Sequence, residues 1–211
     1  MDTMNRLLAS LEDLKKTELK RLIDARMKEF RENGKKPFNE IFKELCFCIL
    51  TANFNAERAI KIQEEIGDGF LTLPEHQLAK KLRTLGYRFP NTRAKYIAEA
   101  RQHKDSLKSI IESFNNGNEL REWLAENVKG IGYKEASHFL RNIGYADYSI
   151  LDFHIIDILT RCSIIDRPKT LTKRKYLEIE GLLKKIAKEL SFNLGELDLY
   201  LWYIETGKVL K

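Results

Sequence analysis

An all-α fold is predicted by three features of the sequence. Only four prolines (Pro37, Pro74, Pro90 and Pro168) interrupt 211 residues. The long stretches between them are rich in Leu, Glu, Lys and Ala, which favour helix, and β-branched alternation over four or more residues is hard to find. Taken in order, helices are expected from about residue 5, after Pro37, after Asn55, from near Pro74, and over 91–103, 107–114, 118–128, 133–143, 153–162, 172–190 and 194–207. In the helix after Pro37, Phe38, Ile41, Phe42, Leu45, Cys48 and Ile49 recur at spacings of three and four. That segment then becomes apolar nearly all round, as a central buried helix does. The helix over 133–143 turns Ala136, Phe139, Leu140 and Ile143 to one side and ends against Gly144, a natural C′ residue. A short loop, YADYSIL, follows, and Asp152 then stands where the next helix needs an N-cap. Connections are short, with neither a low-complexity linker nor a repeat of solenoid period. A hydrophobic content of 43% supports a sizeable core, in one domain or in two closely joined subdomains.

Composition narrows the function classes. The net charge of +6 and a pI near 9.1 have the sign of a polyanion binder, a sign shared by many proteins that bind none. Three cysteines, Cys46, Cys48 and Cys162, leave no fully paired disulfide framework and fit a reducing compartment. On a regular helix Cys46 and Cys48 point about 200° apart, so they read as buried small hydrophobes and not as a metal pair. No metal is expected. The opening MDTMNRLLASLEDLKKTELK is broken by Glu12, Asp13 and lysines, unlike a signal peptide or a span, and no run reaches the roughly 18 apolar residues that a spanning helix needs. The expectation is a cytoplasmic protein that does not bind a membrane.

Three of the eleven glycines fall within VKGIGYKEASHFLRNIG. Lys129-Gly130-Ile131-Gly132 is too short for anything but a tight reversal between two helices. Glycines there can take positive φ and leave the following amides uncovered, at the amino end of a helix whose dipole and free N–H groups favour an anion. A DNA phosphate would suit that position, with Gly130 and Gly132 its contacts. The alternative is an ordinary helix–helix corner in which Ile131 plugs the core. Lys134 would then sit at one helix start and Asp152, eighteen residues on, at another.

The segment GIGYKEASHFLRNIGYADYSILDFHI resembles the helix-hairpin-helix, loop and aspartate signature of the base-excision DNA glycosylase superfamily. With ELCFCILTANF, IGDGFLTLP, LGYRF, KTLTKRKYLEIE and LDLYLWYIETGKVLK, the chain from about residue 40 onward is similar to the archaeal-type 8-oxoguanine DNA glycosylases. The resemblance implies a two-subdomain helix-hairpin-helix glycosylase fold with its cleft between subdomains. One would be central, about 40–150 and ending in the hairpin, the other built from about 1–39 plus 151–211. It implies a bifunctional glycosylase and AP lyase acting as a monomer, without cofactor, on double-stranded DNA containing 8-oxoguanine. Lys134 would displace the damaged base and form an imine that permits β-elimination, and Asp152 would assist by stabilising positive charge on the sugar.

A free lysine, with a pKa of about 10.4, is almost wholly protonated at pH 7, so such a nucleophile depends on surroundings that favour the neutral amine. Burial and a helix N-terminus both act in that direction. Without the hairpin, Lys134 would read as one more solvated lysine and Asp152 as a cap alone.

The resemblance also places Asn53 in the gap left by the extruded nucleotide and Arg88 with Phe89 against the unpaired opposite base. It gives Trp202 and the terminal Lys211 to the pocket for the flipped purine. Bland readings stand beside these: a helix C-cap for Asn53, and core packing for Phe89 and Trp202. His154 reads as a hydrogen-bonded structural residue and His138 receives no role. Lys173-Arg174-Lys175 and Lys184-Lys185 read as solvated faces, some of which track a DNA backbone. Phe153 stands where relatives carry a basic residue. The cysteines of an iron–sulfur cluster, as in endonuclease III, are missing. Two other readings remain: the same lyase chemistry on another oxidised base, and a non-catalytic DNA-binding module.

Overall fold

Residues 3–211 are described by the computed structural model. They form thirteen α-helices, one 3₁₀ turn and, among the described residues, no strand. The helices are α1 (Thr3–Leu14), α2 (Leu19–Asn33), α3 (Phe38–Thr51), α4 (Ala56–Ile66), α5 (Gly69–Thr72), α6 (Glu75–Thr84) and α7 (Pro90–Ala100). After the 3₁₀ turn Arg101–His103 come α8 (Leu107–Ser113), α9 (Gly117–Asn127), α10 (Tyr133–Asn142), α11 (Phe153–Arg161), α12 (Lys173–Glu189) and α13 (Leu194–Thr206). The start near residue 5 opens two helices rather than one, because the chain breaks over 15–18, where the Thr17 hydroxyl accepts a hydrogen bond from Leu19 N at 3.2 Å and opens α2. The short α5, pinned by the buried Phe70, has no counterpart in the sequence expectations.

The helices belong to two units, one comprising residues up to Glu32 together with Gly144–Lys211, the other Asn33–Ile143. In the second, α3 is the axis: Ile41, Phe42 and every residue from Glu44 to Thr51 are buried, and α4, α5, α7, α8 and α10 pack around it. Pro37 opens α3, and Asn55 caps α4 by accepting from Arg58 N at 3.0 Å. Glu44 is buried but satisfied, taking hydrogen bonds from Asn142 Nδ2 at 2.6 Å and Gln63 Nε2 at 3.1 Å, so α10 and α4 are tied to the axis by a polar knot. Cys46 and Cys48 lie in the same helix with no exposure, and burial drives the Cys46 thiol far above its ordinary range.

In the first unit, α2 buries Leu19, Ile23, Met27 and Phe30, a stripe at spacings of four and three. There α13 packs on α11 and α12. Gly144 has φ +102°, and a Cβ on it would lie 3.1 Å from the Arg31 Cα, so glycine allows the chain to pass close against α2. No described helix is long and apolar enough to cross a membrane.

Candidate active site

Between α9 and α10 the hairpin is built as a tight turn, with Ile131 N donating to Val128 O at 3.1 Å and Ile131 buried. Its two glycines differ. Gly130 adopts φ +85°, and a Cβ there would stand 2.5 Å from Tyr96 Cδ2, so both conformation and space require glycine. Gly132 lies at φ −100° and ψ −170°, an extended conformation open to any residue. The expectation of left-handed freedom therefore applies to one glycine of the pair. Nor is the Gly132 N–H uncovered, because it donates to Glu135 Oε2 at 3.2 Å. This is half of a capping box, since glycine has no side chain to return the bond.

Lys134 occupies the first turn of α10, as its spacing predicts, with a quarter of its side chain exposed. Its Nζ lies 3.0 Å from Glu135 Oε1. Behind it, the buried Arg121 of α9 crosses to α10: its guanidinium lies over the Tyr133 ring at 4.8 Å and donates to Ser137 Oγ at 3.2 Å. Ser137 in turn donates to Tyr133 O, and the Tyr133 hydroxyl donates to Glu122. These bonds fix the angle between the two hairpin helices and hence the place of residues 132–135.

Asn53 and the adjacent pair Arg88 and Phe89, 35 residues further on, lie on two loops that the structure joins. Tyr87 donates to Leu50 O at 2.7 Å and Arg93 to Ala52 O at 3.1 Å. Arg58 donates to Gly86 O at 2.8 Å, and the Phe54 and Tyr87 rings are 4.4 Å apart. Burial raises the Tyr87 hydroxyl above its usual range, against the pull of the Arg93 hydrogen bond, so it stays a donor. Asn53 is exposed and takes φ +58° just beyond α3, the left-handed conformation that asparagine tolerates at a helix end. Arg88 is exposed and stacks on Phe89, which is half-buried at the start of α7.

In the other unit Asp152 caps α11, its Oδ1 accepting from Ile155 N at 3.0 Å. The loop that delivers it is held by buried side chains. Ser149 N donates to Glu180, Ile150 N to Asp198 at 2.9 Å and Leu151 N to the Tyr176 hydroxyl, which itself donates to Ser149 O at 2.5 Å. Around α11, Phe153 is two-thirds exposed and lies against His154, which meets Trp202 edge-on at 4.6 Å. Trp202 is half-buried, and its Nε1 is buried without a hydrogen-bond partner. Lys211 is half-buried. Arg161, in the last turn of α11, pairs with Glu205 of α13 at 2.6 Å and holds that carboxyl below its ordinary range. His138 is buried, edge-on to Phe47. Lys175 is paired with Glu178, which keeps that part of the 173–175 cluster in surface contacts. Among the described residues no group of three His, Cys, Asp or Glu side chains could hold a metal ion.

The all-helical architecture and the tight Gly-Ile-Gly reversal define a helix-hairpin-helix protein. A family model described as Ogg-HhH, 8-oxoguanine DNA glycosylase, matches residues 23–192, and the chain belongs to that family. It is 57% identical to the 8-oxoguanine DNA glycosylase/AP lyase of Methanocaldococcus jannaschii over 97% of this chain and 99% of that protein. It is also similar to the crystal structure of the Methanocaldococcus jannaschii 8-oxoguanine glycosylase/lyase in complex with 15mer DNA containing 8-oxoguanine. There the TM-score is 0.96 at 56% identity, covering 98% of this chain and 100% of that one. Against the crystal structure of the 8-oxoguanine DNA glycosylase of Thermotoga maritima the TM-score is 0.93 at 44% identity, over 99% and 100% of the two chains.

Sequence reasoning passed over Glu135, Tyr96, Tyr87, Arg93, Glu180 and Asp198. A glutamate three residues after an N-cap was a readable signal for Glu135, but Gly132 in place of Ser or Thr hid it. The buried charges of α7, α12 and α13 carry no local signal at all.

Proposed function

We infer that this chain is a DNA glycosylase/AP lyase that excises 8-oxoguanine from double-stranded DNA in base excision repair and cleaves the strand at the resulting abasic site. The observation that carries this is the match, end to end at 57% identity, to a relative of that activity. Its DNA-repair role places it in the cytoplasm, acting as a monomer on chromosomal DNA and without a cofactor.

Lys134 is the nucleophile. Its amine attacks C1′ of the extruded nucleotide, the damaged base departs, and the resulting imine acidifies the neighbouring carbon so that β-elimination breaks the strand. The placement of Lys134 in the first turn of α10, behind the hairpin, supports this reading. The Asp152 carboxylate, fixed as a cap, stabilises positive charge developing on the sugar. Its loop, held by Glu180, Asp198 and Tyr176, supplies the rigidity such a group needs. Gly130 lets the hairpin approach a DNA phosphate, with Gly132 beside it.

Extruding a nucleotide costs a few kcal/mol of stacking and pairing, which inserted side chains offset. Asn53 fills that gap, and Arg88 with Phe89 faces the orphaned base. The joining of their two loops in one unit supports that shared task. Trp202 and Lys211 line the pocket for the flipped purine, the indole offering it a flat apolar face on which to stack.

Borohydride reduction tests the lysine directly. The wild-type chain is expected to give a covalent adduct with a duplex containing 8-oxoguanine, and Lys134→Gln is expected to give none while still binding DNA. An adduct formed by Lys134→Gln overturns the assignment. A panel of duplexes bearing oxidised purines and pyrimidines tests the substrate, with 8-oxoguanine expected to be released fastest.

A further inference from the structure

Glu135 is an acidic side chain in contact with Lys134, and neither nucleophilic attack nor stabilisation of the sugar by Asp152 gives it a task. Its two oxygens are used differently. Oε2 is held by the Gly132 N–H at 3.2 Å, and Oε1 lies 3.0 Å from Lys134 Nζ. Only 11% of its side chain is exposed, against 25% for Lys134, so the carboxylate is set into the hairpin while the amine reaches outward. A lysine that attacks carbon must first lose a proton, and a base that takes it must be within hydrogen-bond reach. The geometry points to Glu135 as the base that deprotonates Lys134, with the hairpin backbone holding it in place. This rests on the reading of Lys134 as the nucleophile.

The step balances. One proton passes from the ammonium to Oε1, leaving a neutral amine and a carboxylic acid. The freed lone pair on Nζ forms the N–C1′ bond as the C1′–N9 bond breaks. The electrons of that bond leave with the purine, which takes up a proton shed by the alkylated nitrogen. Glu135 returns its proton to water once product departs.

In solvent an ammonium–carboxylate pair outlasts its neutral form. Covered by DNA, the balance shifts, because two charges taken out of water cost more than two neutral groups. DNA binding and activation of the amine are thereby one event.

A glutamate at this position also caps a helix, and glutamine separates the two roles. Glu135→Gln retains an oxygen for the Gly132 N–H but cannot take a proton. Under single-turnover conditions it is expected to release 8-oxoguanine about 10²-fold more slowly than wild type. Its DNA affinity and melting temperature should be unchanged, and it should reach the same final yield of borohydride-trapped adduct. Release within twofold of wild type, or faster, overturns the proposal, since a carboxylate that merely held the ammonium would slow the reaction by its presence. Should the glutamine variant fold poorly, Glu135→Asp decides: a shorter base must retain more activity than the amide, and equal loss in both overturns the proposal. An adduct from Lys134→Gln would instead sink the nucleophile reading itself, whatever the Glu135 variants do.

Discussion

Two helix N-termini carry the proposed chemistry, and they are finished in opposite ways. At α11 the cap is the proposed functional group: Asp152 accepts from Ile155 N and presents its carboxylate from that position. At α10 the cap position holds Gly132, and the task passes to Glu135, three residues inward, whose carboxylate serves the backbone and Lys134 together. The difference teaches where stability and activity are coupled. At α11 one residue carries both the observed cap and the proposed charge, and a near-isostere can separate them. At α10 the roles are spread over a glycine, a lysine and a glutamate, and Gly132 contributes its N–H rather than a special conformation.

The largest effect expected within this contrast is on rate. Asp152→Asn keeps a good N-cap but removes the charge, so single-turnover base release should fall about 10²-fold, as when one stabilising group of a transition state is lost. Circular dichroism should show unchanged helix content; a variant that loses helix instead would mean that Asp152 is a cap alone. Next in size, Gly130→Ala forces an L residue into φ +85° and a Cβ into Tyr96. A loss of about 2 kcal/mol or more is expected, read as a lower urea midpoint, together with weakened DNA binding. Gly132→Ala, at an ordinary φ and meeting only the movable end of Glu135, should cost about 0.5 kcal/mol. Equal effects at the two glycines would break the distinction between them.

Asp152→Ala should be less stable than Asp152→Asn by about 1 kcal/mol, or roughly 2–4 °C in Tm, which measures the cap apart from the chemistry. The smallest effect lies at the other end of α11. Arg161 lowers the pKa of the partly exposed Glu205, so their pair contributes stability above the usual carboxylate range and loses it as pH falls through the depressed value. Arg161→Ala should therefore cost up to about 0.5 kcal/mol at pH 7, given the exposure of the arginine, and nothing below that transition. A cost that persists in acid would assign Arg161 a packing role instead.

The parts legible in the sequence are those fixed by local punctuation. Pro37, Asn55, the Gly-Ile-Gly reversal, Gly144 and Asp152 mark boundaries that the helices respect, because caps and left-handed residues act over three or four positions. The break between α1 and α2 was not legible, since Lys15, Lys16, Thr17 and Glu18 each tolerate helix and packing decides between continuing and turning. Nor was the difference between Gly130 and Gly132, which depends on Tyr96, 34 residues earlier in the chain. The supports of the site were the least visible. Nothing near Glu180 or Asp198 in the sequence marks them as interior, and only the return of the 149–151 backbone to α12 and α13 makes them interior acceptors.

The sealed sulfurs of α3 bear on the conditions in which such a protein works. Guanine lesions of this kind arise under oxidative stress, when peroxide also attacks thiolates and converts them to sulfenic and higher acids. Cys46 and Cys48 admit no solvent, and the first is kept protonated by its apolar surroundings, so neither sulfur lies open to an oxidant. The axis of the hairpin-bearing unit is thus inert to the same insult whose damage the molecule removes.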